Sequence, residues 1–290
     1  MRLGAIEAGG TKMVCGIGDE TGRIEERASF PTTTPEETVA AMLGFFRGKA
    51  IEALGIGSFG PVELNRNSPA YGSITTTPKL AWANYNLLQA MQRELGVPVG
   101  FDTDVNAAAL GEATFGAAAG LDSCVYVTIG TGIGAGVVAE GKLLHGLLHP
   151  EMGHILVKRH PEDRYEGKCP YHADCLEGMA AGPAIEARWG RKGAELADDA
   201  RVWEMEAYYL AQAVVNLVLI LSPKKIILGG GVMHQRHMFP LVRQITLDML
   251  KGYVQRDEIT SGIDSYIVPP GLGDNAGLVG SLLLAKGAAQ

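Results

Sequence analysis

Two apolar stretches in this chain fold back on themselves around glycine, about 120 residues apart. Residues 3–18 read as two strands around the turn Ala8-Gly9-Gly10-Thr11-Lys12. Residues 124–138 read as two more around Gly130-Thr131-Gly132-Ile133-Gly134. A β–turn–β unit that occurs twice implies a chain built from two structurally similar halves, each with its own sheet. Glycine at these turns has a reason: without a Cβ, the main chain can turn tightly or come close to a ligand. The 290 residues would fill one large core or two modest ones, and the repeat favours two.

Helices and short strands alternate between these units. Residues 35–47 form an amphipathic pattern with Thr34 as N-cap and Glu36 and Glu37 in the first turn. Residues 51–58 read as a buried strand, 87–95 as a helix, 97–102 as a strand and 105–115 as an Ala-rich helix. A long apolar helix over 202–221 stops at Ser222-Pro223; a strand at 225–228, the triplet Gly229-Gly230-Gly231 and another helix follow. Strands alternating with helices predict α/β layers. The Gly/Ala stretch 116–120 is the expected hinge.

Composition excludes several partners. The 25 Lys plus Arg against 32 Asp plus Glu give a formal charge of −7, which disfavours nucleic acid and anionic membrane surfaces. No uninterrupted apolar run approaches about 18 residues, so no membrane span is expected. Met1-Arg2-Leu3 leads directly into a strand pattern without the marks of a signal peptide, and a cytoplasmic location is expected. Cys15 and Cys124 lie in apolar strand patterns and read as buried reduced thiols.

Three glycine-rich segments bear on chemistry. At Gly9-Gly10-Thr11-Lys12, main-chain N–H groups, a hydroxyl and a cation could meet a phosphate. It is not a P-loop, because the spacing is wrong and a strand follows. Gly130-Thr131-Gly132 offers a bare backbone and a hydroxyl, and Gly229-Gly230-Gly231 opens onto a helix N-terminus. Each alone is also what an ordinary turn looks like; three at strand ends in one chain point to a nucleotide site. Asp104, in Phe101-Asp102-Thr103-Asp104-Val105-Asn106, falls at a strand-to-helix junction. It reads either as an N-cap or, at the carboxyl end of a strand, as the carboxylate that phosphoryl transfer to an alcohol requires.

The most specific pattern is Glu151-Met152-Gly153-His154 followed by Cys169-Pro170-Tyr171-His172-Ala173-Asp174-Cys175-Leu176-Glu177. Cys169, His172 and Cys175 recur at three-residue spacing, and His154 or, as a rival, His160 supplies a fourth ligand. Four N/S ligands leave no open position, so the ion would be a structural Zn2+. With the loop so held, Glu151 and Glu177 would face one cavity and accept hydrogen bonds from sugar hydroxyls. The alternative is a chance surface pair of histidines beside inert cysteines.

Taken together, over nearly the whole length, these motifs and Gly273-Asp274-Asn275-Ala276-Gly277 resemble the ROK family of sugar kinases, and its bacterial fructokinases above all. The resemblance implies a two-domain ribonuclease H-like α/β fold of the actin/hexokinase ATPase type, with an interdomain cleft. The domains would span residues 1–118 and 119–275, the second carrying the zinc loop, and the C-terminal helix 276–290 would pack back on the first. Asp104 would be the general base, and Thr103, Glu151, His154 and Glu177 would hold the sugar, most readily D-fructose phosphorylated at O6. Gly9, Gly10, Thr11, Lys12, Gly130, Thr131, Gly132, Gly182, Pro183, Gly229, Gly230 and Gly231 would contact ATP, with Mg2+ on its phosphates. His154 would bind zinc through one ring nitrogen and sugar through the other, beside Cys169, His172 and Cys175. Glucose, mannose and N-acetylmannosamine kinases share the scaffold, and relatives are often homodimers. ROK-type repressors carry a DNA-binding region ahead of the first glycine turn, for which the start at Gly9 leaves no room.

Three departures from the family pattern stand out. Glu7 replaces the usual Asp with one more methylene, changing reach toward magnesium. Thr103 replaces an Asn before the base. His172 stands where a cysteine is usual, preserving a four-ligand set.

Overall fold

The computed structural model describes residues 1–290, which form two compact units. The first comprises Met1–Gly120, Gly136–Pro150 and Gly271–Gln290, and the second Leu121–Ala135 and Glu151–Pro270.

In the first unit the chain runs β1 (Leu3–Ala8), β2 (Lys12–Gly18), β3 (Ile24–Pro31), α1 (Pro35–Phe46), β4 (Ala53–Ser58), α2 (Leu87–Leu95), β5 (Val99–Thr103) and α3 (Asp104–Phe115). Its sheet has the order β3-β2-β1-β4-β5. The first three strands are antiparallel neighbours; β4 and β5 join in parallel. The strand β3 carries no apolar alternation strong enough to be read from sequence, since most of it is exposed.

Alternate residues of β1 serve opposite faces. Ile6 and Ala8 join Met13, Met42, Phe46, Leu54, Ile56, Trp82 and Phe101 beneath α1 and α2. Leu3 and Ala5 join Leu278, Leu282 and Ala285 of the C-terminal helix. That helix sits unusually close to the sheet. A Cβ on Gly55 of β4 would run into the Ser281 carbonyl, and one on Gly100 of β5 into the Leu284 carbonyl. Glycine inside these strands thus serves backbone approach, not turning.

The rest of the chain comprises β6 (Cys124–Ile129), β7 (Ile133–Ala139), β8 (Lys142–Leu143), α4 (Leu176–Ala180), α5 (Gly182–Trp189), α6 (Ala200–Leu221), β9 (Ile226–Gly229), α7 (Met238–Leu250), α8 (Ile263–Tyr266), β10 (Ile267–Val268) and α9 (Ala276–Ala289). The second sheet has the order β10-β9-β6-β7-β8, with β10, β9 and β6 parallel. Long and apolar enough by composition to cross a membrane, α6 instead buries Val202, Trp203, Tyr209, Leu210 and Val214 in the core of the second unit. Its end at Ser222 is a left-handed cap (φ 46°), where Pro223 prevents continuation.

Residues 136–150, grouped from sequence with the second half, belong to the first unit. Gly136 lies so close to the Val105 carbonyl that no side chain would fit, and the Val137 N–H reaches Asn106 Oδ1 at 3.4 Å. At the chain's passage out of the first unit, the buried Glu112 carboxylate accepts the N–H of Ala117 at 2.7 Å. At the return passage it accepts those of Gly271 and Leu272, each at 2.9 Å.

Candidate functional site

In the first unit the chemistry gathers at the ends of β1 and β5. The turn after β1 is closed by the Gly9 N–H on the Lys12 carbonyl at 3.0 Å. It is braced by Thr32, whose hydroxyl donates to the Gly9 carbonyl at 2.7 Å. Thr11 and Lys12 are left exposed at its tip.

The N-cap of α3 is Thr103, whose Oγ1 accepts the Asn106 N–H at 3.1 Å. This decides between the two readings of Asp104: it is the first residue of the helix, not its cap. Its carboxylate accepts the Val105 N–H at 2.9 Å. Burial penalises its charge and raises its pKa to about 6, with that N–H bond opposing the shift. Across the same sheet edge, Glu7 of β1 is pushed up to about 7 by burial and then by the charge of Asp104, with Lys12 and Arg27 opposing. Gly277 makes room for Glu7, since a Cβ there would lie 2.7 Å from its carboxyl carbon.

Beside Asp104 lies a network that sequence reasoning passed over. The buried Asp102 carboxylate accepts the Thr103 N–H and the Asn106 side-chain amide on Oδ1, both at 2.8 Å. Its Oδ2 meets His145 Nε2 at 2.7 Å, and Asp102 raises the pKa of that imidazole. The signal available was the Asp102/Asn106 pair at i, i+4; nothing in the sequence tied His145 to it.

In the second unit, three separate glycine segments converge. The Gly182 N–H donates to the Gly130 carbonyl at 2.8 Å, and a Cβ on Gly130 would lie 3.9 Å from the Gly231 nitrogen. Gly230 adopts φ 86°, and a Cβ there would strike the Ile129 backbone. Main chain at Gly130, Gly182, Gly230 and Gly231 thus lies together, with Thr131 and Gly231 exposed, while Gly229 is buried. The triplet does not open directly into a long helix: Gly231–His234 is a 3-10 turn, and α7 starts at Met238. This weakens the helix-dipole part of the sequence argument and leaves the exposed backbone part standing.

The ligand atoms of His154, Cys169, His172 and Cys175 all lie within 4.8 Å of one another. His154 Nδ1 is 3.7 Å from Cys169 Sγ and 3.5 Å from Cys175 Sγ, and His172 Nδ1 is 3.8 Å from Cys169 Sγ. A tetrahedral zinc ion with ordinary Zn–S and Zn–N bonds separates its S and N ligands by about 3.6 Å, so the donor set fits. Burial, reinforced by Cys169, raises the Cys175 thiol pKa, and a bound cation would reverse that. His160 lies outside this group of donors: its Nδ1 accepts the Glu162 N–H at 3.2 Å and its ring packs edge-on against Tyr208.

With Nδ1 turned to the sulfurs, His154 presents Nε2 toward Glu177 Oε1 at 4.0 Å. The other Glu177 oxygen accepts the Ile133 N–H at 2.9 Å, joining the cluster to the glycine turn before β7. Gly153 fits under the Ile133 carbonyl, where no side chain could. Glu151 is exposed just ahead of the 3-10 turn Met152–His154. A buried ion pair anchors the same loop: Arg188 meets Asp163 at 3.0 Å and donates to the Met179 carbonyl at 2.8 Å, while Tyr209 donates to Asp163 at 2.7 Å. No sequence motif marks these three residues.

A model of the ROK family matches residues 3–288. A Bacillus subtilis (strain 168) protein is 57% identical over 288 residues, covering 99% of this chain and 96% of that protein. A Pediococcus pentosaceus fructokinase is 47% identical over 288 residues, covering 99% of both. Among solved structures, a ROK family glucokinase from Streptomyces griseus in complex with glucose and AMPPNP is 27% identical, with a TM-score of 0.80 over 99% of this chain and 100% of that one. The α/β fold expected from sequence is the fold shared with that structure.

Proposed function

The chain belongs to the ROK family, and on that premise we propose that it transfers the γ-phosphoryl group of MgATP to O6 of D-fructose. The observation that carries the reading is Asp104: a carboxylate at the C-terminal end of a parallel strand, relieved of capping duty by Thr103, with its pKa raised to about 6. At neutral pH such a group is ionised and basic enough to accept a hydroxyl proton. Fructose is favoured because the Pediococcus pentosaceus relative bears that activity in its name.

In the step proposed, the Asp104 carboxylate takes the proton as the sugar oxygen attacks the γ-phosphorus, and the bond to the bridging oxygen of ADP breaks. Glu151, His154 Nε2, Glu177 and the Thr103 hydroxyl orient the sugar. The glycine turns at 9–12, 130–132 and 229–231, with Gly182 and Pro183, let the main chain come close to the nucleotide, and Lys12 adds charge near its phosphates. A zinc ion held by His154, Cys169, His172 and Cys175 would supply structural support, fixing the ring so that Nε2 faces the sugar.

The test is a coupled ADP-release assay with MgATP against a panel of hexoses, on wild type and Asp104→Asn. Fructose should give the fastest turnover, and the variant should lose about 10²–10⁴-fold in kcat, the usual contribution of a positioned base. Faster turnover with glucose or mannose would redirect the sugar assignment; a variant that keeps its rate would remove Asp104 as the base.

A further inference from the structure

We propose that His145 is a positioning residue for Asp104, acting through the buried carboxylate of Asp102. The proposal rests on the assignment of Asp104 as the base. Three of the five residues from Asp102 to Asn106, on both sides of Asp104, are joined by one carboxylate and one hydroxyl. Asp102 Oδ1 accepts from the Thr103 N–H and the Asn106 amide, and Thr103 Oγ1 accepts from the Asn106 N–H. The Asp104 backbone is therefore fixed on both sides by groups that depend on Asp102. The Asp102 side chain is only 6% exposed, and a carboxylate buried to that degree needs a donor for its second oxygen. That donor is His145, at 2.7 Å, on the stretch after β8.

The imidazole itself is 42% exposed, so it does not fill a core. The Asn106 amide nitrogen lies 3.4 Å from the same Nε2, so two donors flank the Asp102 carboxylate side by side without bonding to each other. Arg66 also faces His145 and disfavours its charged form; Asp102 outweighs it. Removing the imidazole would leave Asp102 with an unmatched oxygen, which the first turn of α3 would relieve by shifting. A base displaced by about 1 Å can cost on the order of 100-fold in rate.

The test compares His145→Ala and His145→Gln with wild type and Asp104→Asn, reading kcat, KM for sugar and MgATP, and thermal melting. Gln is the rescue variant, because its side-chain amide nitrogen reaches about as far as Nε2 and donates to the same oxygen. The expected result is a kcat lowered about 100-fold in His145→Ala with KM for MgATP unchanged, and recovery to within about tenfold in His145→Gln. A folded His145→Ala that keeps kcat within about twofold of wild type overturns the proposal. So does a folded His145→Gln impaired as severely as alanine. Should alanine fail to fold, the glutamine variant alone decides by the same tenfold limit. An active Asp104→Asn would instead overturn the base assignment, a separate failure.

Discussion

The two units carry their chemistry on opposite kinds of support. In the first, Asp104 and Glu7 ride on strand and helix ends beside close-packed glycines, and burial makes both carboxylates reluctant to ionise. In the second, His154, Cys169 and His172 sit on a stretch of turns and isolated bridges with few buried apolar residues, and Cys175 stands at its edge before α4. Packing energy from a core can hold charges where they are uncomfortable, which is how a side chain acquires the proton affinity a base needs. A loop without that support keeps its donors together when a ligand contributes the energy.

The comparison would break most visibly if the loop proved self-supporting. With the proposed zinc bound, stripping it with a strong chelator should lower the melting temperature by several degrees or more, at roughly 2 °C for each kcal/mol lost. Metal analysis and calorimetry before and after re-addition would check this. An unchanged melting curve in protein shown to have lost its metal would place the two regions on the same footing.

The second measurement sharpens the other side. A base must be ionised to act, and the pKa of Asp104 is raised, so with Asp104 as the proposed base kcat should be full above pH 7. It should fall about tenfold per unit below a limb near pH 6. A limb near pH 4 in the pH–rate profile would mean that burial does not tune Asp104.

The smallest effect concerns an acid with no evident employment. Glu206 of α6 is buried in the second unit with neither carboxyl oxygen hydrogen-bonded, and burial raises its pKa well above the usual range. Because its folded pKa is raised, it costs stability as pH climbs through the ordinary carboxylate range. Glu206→Met should stabilise the protein by about 1–3 kcal/mol at neutral pH in a denaturant titration. A loss of stability would show that the core of the second unit uses this acid after all.

What sequence made legible follows from what is local. The turn at Gly9 to Lys12, helices α1 to α3 and the Cys-His-Cys spacing rest on neighbours within a few residues, where glycine freedom, caps and ligand spacing operate. The choice between His154 and His160 did not; it needed the Tyr208 ring and the Glu162 N–H, contacts set by folding. Sequence leaves the cap of α3 open, because Thr103 and Asp104 are both good capping types and only backbone geometry separates them. His145, Arg188 and Glu112 were invisible as functional groups, since each meets a partner far away in sequence: Asp102, Asp163 and Gly271.

Glu112 has a consequence for how such a protein can change over time. Ala117, where the chain departs, and Gly271, where it returns, hang from a single carboxylate. With those ends held, lengthening an exposed loop between them leaves the junction in place, and each doubling of a flexible loop costs only about 0.6 kcal/mol. The packed strands and helices between them, and residues 136–150 committed to the first unit, restrict that freedom. One buried side chain thereby holds a junction that insertions in the loops beyond it need not disturb.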